Sequence, residues 1–458
     1  MRADRSRLPE LGPDPTFRLP AIGHHTLDNG LKVRTVEHMS VPVLTFVMKM
    51  DGGVSADPGG REGLASLTAD MVDEGTGDLS AIDVSDAFAR IGAEYDVDVG
   101  ADATMFTLTT LTRFAERGAS LLARILVKPS LRESDFERVR QLRLDRLRQL
   151  KDLPPAVAER AFLQLLYPRH PYGHLAIGTD AALRELRLDE VAHFHQDTFL
   201  PSRATLVVAG ALSHDQLLRV AEDACGAWND KESIAGVPRV AADVVPDRRS
   251  ASLLALVPRE DAAQSEVRIG HLSARRDTPD YAALLVMNAV LGGQFVSRIN
   301  LKLREEKAFT YGARTGFDWR RGLGPFSVQA SVHTAATAEA ISDSLEEIAD
   351  IRGSRPPTDR EMSLAKASLT RGYPRNFETA QQVSRSVAQL ALFDLPDSYF
   401  EEFVPRVNQV TADDVTRVAT EYLDPSRAIT LVVGDRRATE ASLNALGLGE
   451  LQILPPEG

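Results

Sequence analysis

The sequence predicts an α+β fold of two homologous domains, each a mostly antiparallel sheet packed with helices. An internal repeat supports the duplication, because residues 200–204 (LPSRA) match residues 424–428 (DPSRA) and both run into an apolar strand that ends in glycine. Asp189-Glu190-Val191 matches Asp413-Asp414-Val415 at the same spacing of 224 residues, as from position 200 to position 424. The strands come in adjacent pairs ahead of the helices, which favours antiparallel sheets over a doubly wound fold.

The domain boundaries follow from composition. Residues 229–250 lose periodicity and gain prolines and charge, which is typical of a linker. We therefore predict an N-terminal domain at 1–228 and a C-terminal domain at 251–458. Residues 1–20 contain four prolines and little periodicity, which predicts an extended arm.

The elements of the first half follow from turn residues and hydrophobic period. Asp28-Asn29-Gly30 predicts a tight turn between two strands, alternation predicts further strands, and a period near 3.6 predicts helices. Pro154-Pro155 ends one helical pattern before the next begins. The predicted strands are 24–37 (a hairpin), 41–51, 94–112 (a pair) and 204–210, and the predicted helices are 63–76, 80–92, 114–127, 133–151, 156–167, 189–198 and 213–227.

The second half repeats this order. It begins with a strand, continues with two helices and a pair of strands, and returns through further helices to a final strand. The predicted helices include 281–291 and 297–307, and the predicted strands include 309–319, 326–333 and 428–434.

Composition excludes several classes of protein. The chain has 458 residues, 43% hydrophobic and 26% charged, with a net charge of −12, which argues against a nucleic-acid partner. The single cysteine, Cys225, excludes an internal disulfide and a cysteine-based zinc site. We find no apolar core of signal-peptide length near the start and no run of about 18 apolar residues that would span a membrane. We expect a cytoplasmic protein.

The helix predicted at 63–76 organises the chain. Leu64, Leu67 and Met71 form its apolar stripe, and Gly75 stands where a helix often ends. Ser66 and Asp70 are four residues apart and therefore project side by side. A zinc peptidase of the HxxEH type places two ligands and a general base on such a face. This helix has that frame without those residues.

The chain resembles the pitrilysin family of zinc peptidases, which includes insulinase and the mitochondrial processing peptidase. Four motifs carry the resemblance and together span most of the chain. They are LDNGLKV at 27–33, the GLA…GT helix at 63–76, the HPYG loop at 170–173 before Ile177-Gly178, and Gly292-Gly293 and Ser297-Arg298 leading to Arg304 and Tyr311.

The resemblance also shows what is missing. The family's first zinc histidine falls on Ser66, its catalytic glutamate on Ala69 and its second zinc histidine on Asp70. The third ligand, a glutamate, falls at Asp145 or Arg146. A catalytic zinc needs three good protein ligands and an open water position, so we expect no metal and no catalytic residue in this chain.

The resemblance assigns a substrate role to Arg304 and Tyr311, seven residues apart. In family members such a pair resembles a clamp that reaches the scissile region of a peptide. A guanidinium and a phenol are hydrogen-bond donors that suit a peptide carbonyl and the oxyanion formed on it. Some bacterial members resemble a split enzyme, with the zinc helix on one subunit and this pair on its sister, and this sequence resembles the second kind.

Other polar clusters receive less specific interpretations. Asp70, Asp73 and Glu74 suit a hard cation, but a solvated or partner-facing acidic patch is commoner, and our hypothesis is that a basic group on a partner compensates them. Arg146 is the candidate for neutralising Asp70. The pairs His170/His174 and His193/His195 lie in a loop and on two sides of a helix, so we do not expect them to bind metal.

Three functions remain open at this point. The first is a non-catalytic, substrate-binding subunit of a heterodimeric zinc metallopeptidase, with zinc on a homologous partner and an unstructured peptide as substrate. The second is a structural or assembly subunit with no role in proteolysis. The third, ranked last, is an active homodimeric hydrolase that uses Asp70 and Asp145 as ligands.

Overall fold

The structure is a computed structural model that describes residues 18–229, 246 and 250–456. Most of the predicted arm at 1–20 and of the predicted linker at 229–250 lies outside the described residues. The chain forms two sheet-and-helix halves, as predicted. The strands are β1 (Ile22–Thr26), β2 (Lys32–Glu37), β3 (Val43–Asp51), β4 (Gly75–Thr76), β5 (Leu79–Ser80), β6 (Glu94–Val99), β7 (Ala103–Leu111), β8 (Ala204–Gly210), β9 (Leu253–Pro258), β10 (Gln264–Leu272), β11 (Ala313–Phe317), β12 (Pro325–His333), β13 (Ile429–Gly434) and β14 (Leu451–Ile453).

The helices pack around two main sheets. Helix α10 continues without a break as a π-helical segment, Leu301–Glu306. The helices are α1 (Leu64–Met71), α2 (Ala81–Ala89), α3 (Ala115–Val127), α4 (Glu133–Lys151), α5 (Pro154–Leu166), α6 (Asp180–Glu185), α7 (Leu188–Thr198), α8 (His214–Cys225), α9 (Tyr281–Leu291), α10 (Arg298–Asn300), α11 (Thr337–Ala349), α12 (Asp359–Thr370), α13 (Ala380–Leu392), α14 (Tyr399–Gln409), α15 (Ala412–Tyr422) and α16 (Arg436–Asn444).

The two six-stranded sheets have corresponding strand orders, which confirms the duplication. The first is β1-β2-β8-β3-β7-β6, and the second, read from the same edge, is β14-β9-β13-β10-β12-β11. Most neighbouring strands are antiparallel, and the pairs β2–β8, β9–β13 and β9–β14 are parallel. The outermost place at one edge is taken by β1 in the first sheet and by the late strand β14 in the second.

The halves exchange one helix each. Helix α5 of the first half packs Val157 and Phe162 against Leu253 and Ile429 of the second sheet. Helix α13, at the corresponding point of the repeat, packs on strands β3 and β8 of the first sheet, where Ser384 Oγ donates a hydrogen bond to Thr45 O at 3.2 Å. Each sheet therefore has one face covered by the other half, and the halves are held together by buried apolar surface.

The HPYG loop belongs to the same junction. Tyr172 is fully buried and donates its hydroxyl hydrogen to Asp102, while Arg320 of the second half lies 4.7 Å from the centre of the Tyr172 ring. The other carboxylate oxygen of Asp102 accepts a hydrogen bond from Arg321 N at 2.8 Å. This loop thus joins the halves and does not form a histidine metal site.

The predicted elements are confirmed with local differences. The helix predicted at 63–76 ends at Met71, and Gly75 is not its cap. Instead the chain reverses, and Gly75, with φ of +144°, pairs with Ser80 in the short β4–β5 ladder. A Cβ atom on Gly75 would lie 2.8 Å from Leu79 O, so glycine is required by this turn rather than by a helix end. Sequence reasoning also missed α6, α16, β14, the β4–β5 ladder and one of the two strands, β9 and β10, that begin the second half.

Candidate functional site

Helix α1 is fixed at its N-terminus by a buried carboxylate. Asp57 accepts hydrogen bonds from Gly63 N and Ala65 N, both at 2.6 Å, and lies 2.9 Å from His174 Nε2. Backbone N–H groups at a helix start have no partner within the helix, and a negative charge there is favourable. Asp57 therefore caps α1 from outside it, and His174 of the loop after α5 holds Asp57 in place.

Two glycines allow the same helix to approach the neighbouring loop. Gly63 and Gly178 have φ values of +101° and +86°. A Cβ atom on Gly63 would lie 2.8 Å from the Cα of Gly178, and one on Gly178 would lie 2.2 Å from Glu62 O. Only glycine fits at either position, which explains why the motif begins with glycine and why Ile177 is followed by one.

Other side chains stand where the resemblance predicts the family's two zinc histidines and its catalytic glutamate. Ser66 is buried and donates its hydroxyl hydrogen to Ala176 O. Ala69 is fully buried in the apolar core of the first half. Asp70 is half-exposed, and its Oδ2 lies 2.8 Å from Arg143 Nε. Ser66 and Asp70 thus lie side by side as predicted, but each is already bonded within the protein.

Arg143 is the residue of α4 that faces this helix. Its side chain is 12% exposed, and Nη1 also donates to Ile177 O at 3.3 Å. Arg146, which we expected to neutralise Asp70, lines the same cleft but donates to Gln149 at 3.2 Å, so that expectation is wrong. The two arginines are three residues apart and share a face of α4, and the one a turn earlier meets Asp70. Asp145 instead bonds to Gln141 and Arg148 along α4.

The residues present do not fit a zinc ion. Zinc prefers three or four His, Cys, Asp or Glu side chains, whereas this face offers a hydroxyl, a methyl group, one carboxylate and a guanidinium. In the part of the chain that the structure describes, no group of three or more His, Cys, Asp or Glu side chains is arranged to hold a metal ion. A cation is nevertheless present beside Asp70, since Arg143 carries a fixed positive charge.

An open acidic cleft of 730 Å³ lies over this face. Helix α1 and the turn after it, the edge strand β6, helix α4 and the loop at Ala176 form its walls. Its charged lining residues are Asp70, Asp73, Glu74, Asp96, Asp98, Arg143 and Arg146. Among the described residues its lining comes from the first half alone, so Arg304 and Tyr311 do not reach it within this chain.

The three predicted acids of this cleft differ in environment. Glu74 forms an ion pair with Arg138, and Asp70 pairs with Arg143, so the compensating cations come from α4 of the same chain. Burial, together with the nearby charges of Glu74 and Asp70, raises the pKa of Asp73 to about 6. The cluster therefore consists of two carboxylates in ion pairs and a third, Asp73, whose ionised form is disfavoured by its surroundings.

The second half presents Arg304 and Tyr311 at its surface. Arg304 lies in the π-helical segment after α10, with its guanidinium carbon 4.3 Å from the centre of the Phe295 ring. Tyr311 lies in the loop before β11 and is 89% exposed. Buried Asn300 links these two parts, because its Nδ2 donates to Phe295 O at 2.7 Å and its Oδ1 accepts from Ala313 N at 2.9 Å. No local sequence pattern points to Asn300, because its role depends on contacts across the loop.

Arg298 anchors the segment that carries Arg304. Its guanidinium makes two hydrogen bonds to Glu361, at 2.6 and 2.9 Å, and others to Arg355 O and Pro356 O. Burial by itself would raise the pKa of Glu361, but the bonds from Arg298 and Thr358 lower it to about 2. The motif that contains Ser297-Arg298 is thus a buried structural support for the partly exposed Arg304.

The predicted histidine pairs do not come together as ligand sets. His170 Nδ1 accepts a hydrogen bond from Tyr172 N at 3.1 Å, and His174 contacts Asp57. His195 Nε2 lies 2.7 Å from Leu126 O in the interior. Among the described residues no helix is long and apolar enough to cross a membrane.

Comparison with known proteins agrees with this geometry. Residues 32–180 match the insulinase (peptidase family M16) family, and residues 185–369 match the peptidase M16 inactive domain family. An uncharacterized zinc protease of Mycobacterium leprae is 24% identical over 408 residues, covering 89% of this chain and 90% of the relative. A non-peptidase homolog of Helicobacter pylori is 23% identical over 422 residues, covering 89% and 94%.

Solved structures show the same fold. The crystal structure of a peptidase M16 inactive domain from Pseudomonas fluorescens aligns with a TM-score of 0.83 at 23% identity, covering 90% of this chain and 98% of that one. The duplicated sheets, the shared motifs and the matches along both halves lead to one assignment. The chain belongs to the M16, or pitrilysin, family of peptidases, as a member that lacks the family's zinc-binding residues.

Proposed function

We propose that this chain is the non-catalytic, substrate-binding subunit of a heterodimeric zinc metallopeptidase that cleaves unstructured peptides. In this proposal the zinc site lies on a homologous partner subunit, and this chain binds no zinc of its own. The observation that carries the proposal is that Tyr311, 89% exposed, and the partly exposed Arg304 lie together on a rigidly supported junction. We further propose a cytoplasmic location.

Catalysis by this chain alone is disfavoured by the chemistry of α1. Ala69 has no group that can accept a proton from water, and the hydroxyl of Ser66 is donated to Ala176 O. Asp70, the carboxylate that α1 presents to the cleft, is paired with a guanidinium that repels a metal ion. Water activation therefore has to come from another subunit.

The face around Arg304 has the composition of a protein interface. Phe295, Val296 and Leu301 are large apolar side chains exposed beside Arg304, and Tyr311 is nearby in the sequence. Arginine and aromatic residues are enriched in the centres of interfaces. A partner subunit that covers this face would bring its zinc site towards Arg304 and Tyr311.

In the closed heterodimer, the two donors act on the substrate backbone. The guanidinium of Arg304 and the phenol of Tyr311 bind the carbonyl oxygen at the scissile bond and stabilise the negative charge that develops on it. The extended peptide adds to a sheet edge, and both β6 and β11 are edge strands. The relative named a non-peptidase homolog supports a role without hydrolysis in this chain.

The test is peptide cleavage by this chain alone, by a zinc-bearing M16 sister subunit alone, and by their mixture. The substrate is an unstructured fluorogenic peptide. We expect activity only in the mixture, with a large loss of kcat when Arg304→Ala and Tyr311→Phe are combined. Arg436→Ala is the matched control, because Arg436 is an exposed arginine on helix α16 rather than on an edge strand, and its side chain pairs with Glu440.

Each other outcome identifies a different function. If the mixture is active and ignores the double substitution, this chain is a scaffold, which is the structural or assembly alternative. If this chain alone shows chelator-sensitive activity, the proposal is wrong and its own residues bind a metal.

A further inference from the structure

A second cleft lies in the C-terminal half, away from Arg304 and Tyr311. It has a volume of 160 Å³ and is bounded by the N-terminus of α9, the loop before α14 and α14 itself. This is well above the roughly 10–15 Å³ that one water molecule needs and below the roughly 300 Å³ of drug-sized sites. The space therefore suits a small molecule.

Arg276 lies in the wall of this cleft and is 7% exposed. Its guanidinium carbon is 3.7 Å from the centre of the Tyr281 ring, 4.8 Å from that of Tyr399 and 5.5 Å from that of Phe393. One nitrogen, Nη2, donates to the Tyr399 hydroxyl at 2.8 Å. The ring contacts hold the plane of the guanidinium and leave its other edge without a protein acceptor among the described residues.

Arg276 differs from three other buried arginines in the groups that surround its charge. Arg268, Arg298 and Arg320 are equally buried, and each lies within 3.0 Å of a carboxylate oxygen. Among the described residues, no carboxylate lies within salt-bridge distance of Arg276. A buried charge without a counter-ion is costly unless an opposite charge is supplied, so the open edge of Arg276 is a place for an external anion.

The other walls of the cleft agree with an anionic ligand. Ala282, in the first turn of α9, lines the cleft, and the side chain of the capping residue Asp280 makes no hydrogen bond to that turn. Asp280 is engaged instead by Arg417 at 2.6 Å. The first-turn N–H groups of α9 and the positive end of its dipole favour a negative charge nearby. The carboxylate in the lining, Asp277, is paired with Arg275 at 3.1 Å.

We propose that this cleft binds a small organic monocarboxylate, with the carboxylate on the free edge of Arg276 and an apolar or aromatic substituent between the rings. A guanidinium edge matches a carboxylate in two parallel hydrogen bonds. Leu395, Pro396 and Phe403 line the cleft and favour an apolar substituent. Arg406, which pairs with Glu402, also lines it and adds a positive charge that favours an anion. A free organic acid and the C-terminal carboxylate of a peptide share this chemistry.

The test is isothermal titration of the full chain with phenylacetate, with phenylacetamide as the neutral control. N-acetylphenylalanine represents a peptide C-terminus, and inorganic phosphate represents a more highly charged anion. We expect saturable binding of phenylacetate and none of phenylacetamide. Tighter binding of N-acetylphenylalanine than of phenylacetate would assign the site to peptide ends, and the reverse order to free acids.

Variants locate the binding. Arg276→Gln should weaken phenylacetate binding by roughly tenfold or more, whereas Arg436→Gln, on surface helix α16, should leave it unchanged. If Arg276→Gln does not fold, Tyr399→Phe and Arg406→Gln, which keep Arg276, should each weaken binding severalfold. The proposal fails if phenylacetate does not bind, if phenylacetamide or phosphate binds equally well, or if the cleft variants bind like the wild type.

Discussion

Helix α1 comes after β3, and helix α9 comes after the corresponding strand β10, yet the two helices carry different chemistry. Within eight residues α1 buries Ser66 and Thr68 and presents Asp70 to a cleft, whereas α9 is apolar from Ala282 to Leu291 except for Asn288. The second half instead places its exposed polar groups one element later, at the junction of α10 and β11. Duplication has thus preserved the positions of the elements, while the residues that face solvent have diverged separately in each half.

Each half supports its polar element with a buried charged group. In the first half Asp57 holds the N-terminus of α1, and in the second Arg298 holds the segment that carries Arg304. Asp57 and Arg298 each make several hydrogen bonds within the protein, more than Asp70 and Arg304 on the elements that they support. Persistence of this support in the first half, where zinc ligands are missing, indicates that α1 keeps a structural task. The following substitutions compare the two supports.

The largest effect is expected from Arg298→Ala. It removes the guanidinium that pairs with Glu361 and that donates hydrogen bonds to Arg355 O and Pro356 O. We therefore expect a loss of about 3–5 kcal/mol in the free energy of unfolding. Urea denaturation measures it, with Arg304→Ala as a control that should change stability by less than about 0.5 kcal/mol. Equal effects of the two variants would contradict the assigned support role.

The same pair predicts a dependence on acid. The pKa of Glu361 is lowered from 4.5 to about 2 in the folded protein. Its contribution to stability is therefore complete above pH 4.5 and is lost as pH falls towards 2. Arg298→Ala should flatten this part of the stability profile, and a profile as steep as that of the wild type would count against the ion pair.

Asp57→Ala should have the next largest effect. It removes two hydrogen bonds to the N-terminus of α1 and the contact with His174, which predicts a loss of about 2–3 kcal/mol. Asp83→Ala is the matched control, because Asp83 belongs to the exposed capping box of α2 and should lose about 1 kcal/mol or less. If the two losses are the same, α1 does not depend on the buried cap.

Asp73→Asn should stabilise the protein. The pKa of Asp73 is raised from 3.8 to about 6, so its ionisation opposes folding and stability falls as pH rises through this interval. At pH 7 we expect the variant to be more stable by about 1–2 kcal/mol, and at pH 4 to match the wild type. Glu74→Gln, which removes the ion pair to Arg138, should not stabilise at either pH.

Much of this architecture was predictable from local signals. Three signals each act within a few residues. The Asp28-Asn29-Gly30 turn marks a hairpin, and the sustained helical period over 133–151 marks α4. The repeated Pro-Ser-Arg segments mark the duplication. The exchange of α5 and α13 was not predictable, because both helices have ordinary amphipathic patterns that do not identify the sheet they cover. Arg143, Asn300 and Asp57 were missed for the same reason, since each acts across a long sequence separation.

The smallest effect is expected for the ion pair between Asp70 and Arg143 on the face where the family would bind zinc. Asp70 and Arg143 are only 2.8 Å apart, but the carboxylate is 44% exposed and Arg143 also bonds to backbone carbonyls. A double-mutant cycle with Asp70→Asn and Arg143→Gln should therefore give a coupling energy below about 1 kcal/mol. It should shrink further in 1 M salt, because exposed pairs are screened. A coupling energy of several kcal/mol would mean that this ion pair joins α1 to α4 as strongly as a metal would, and that the first half has replaced its zinc rather than only lost it.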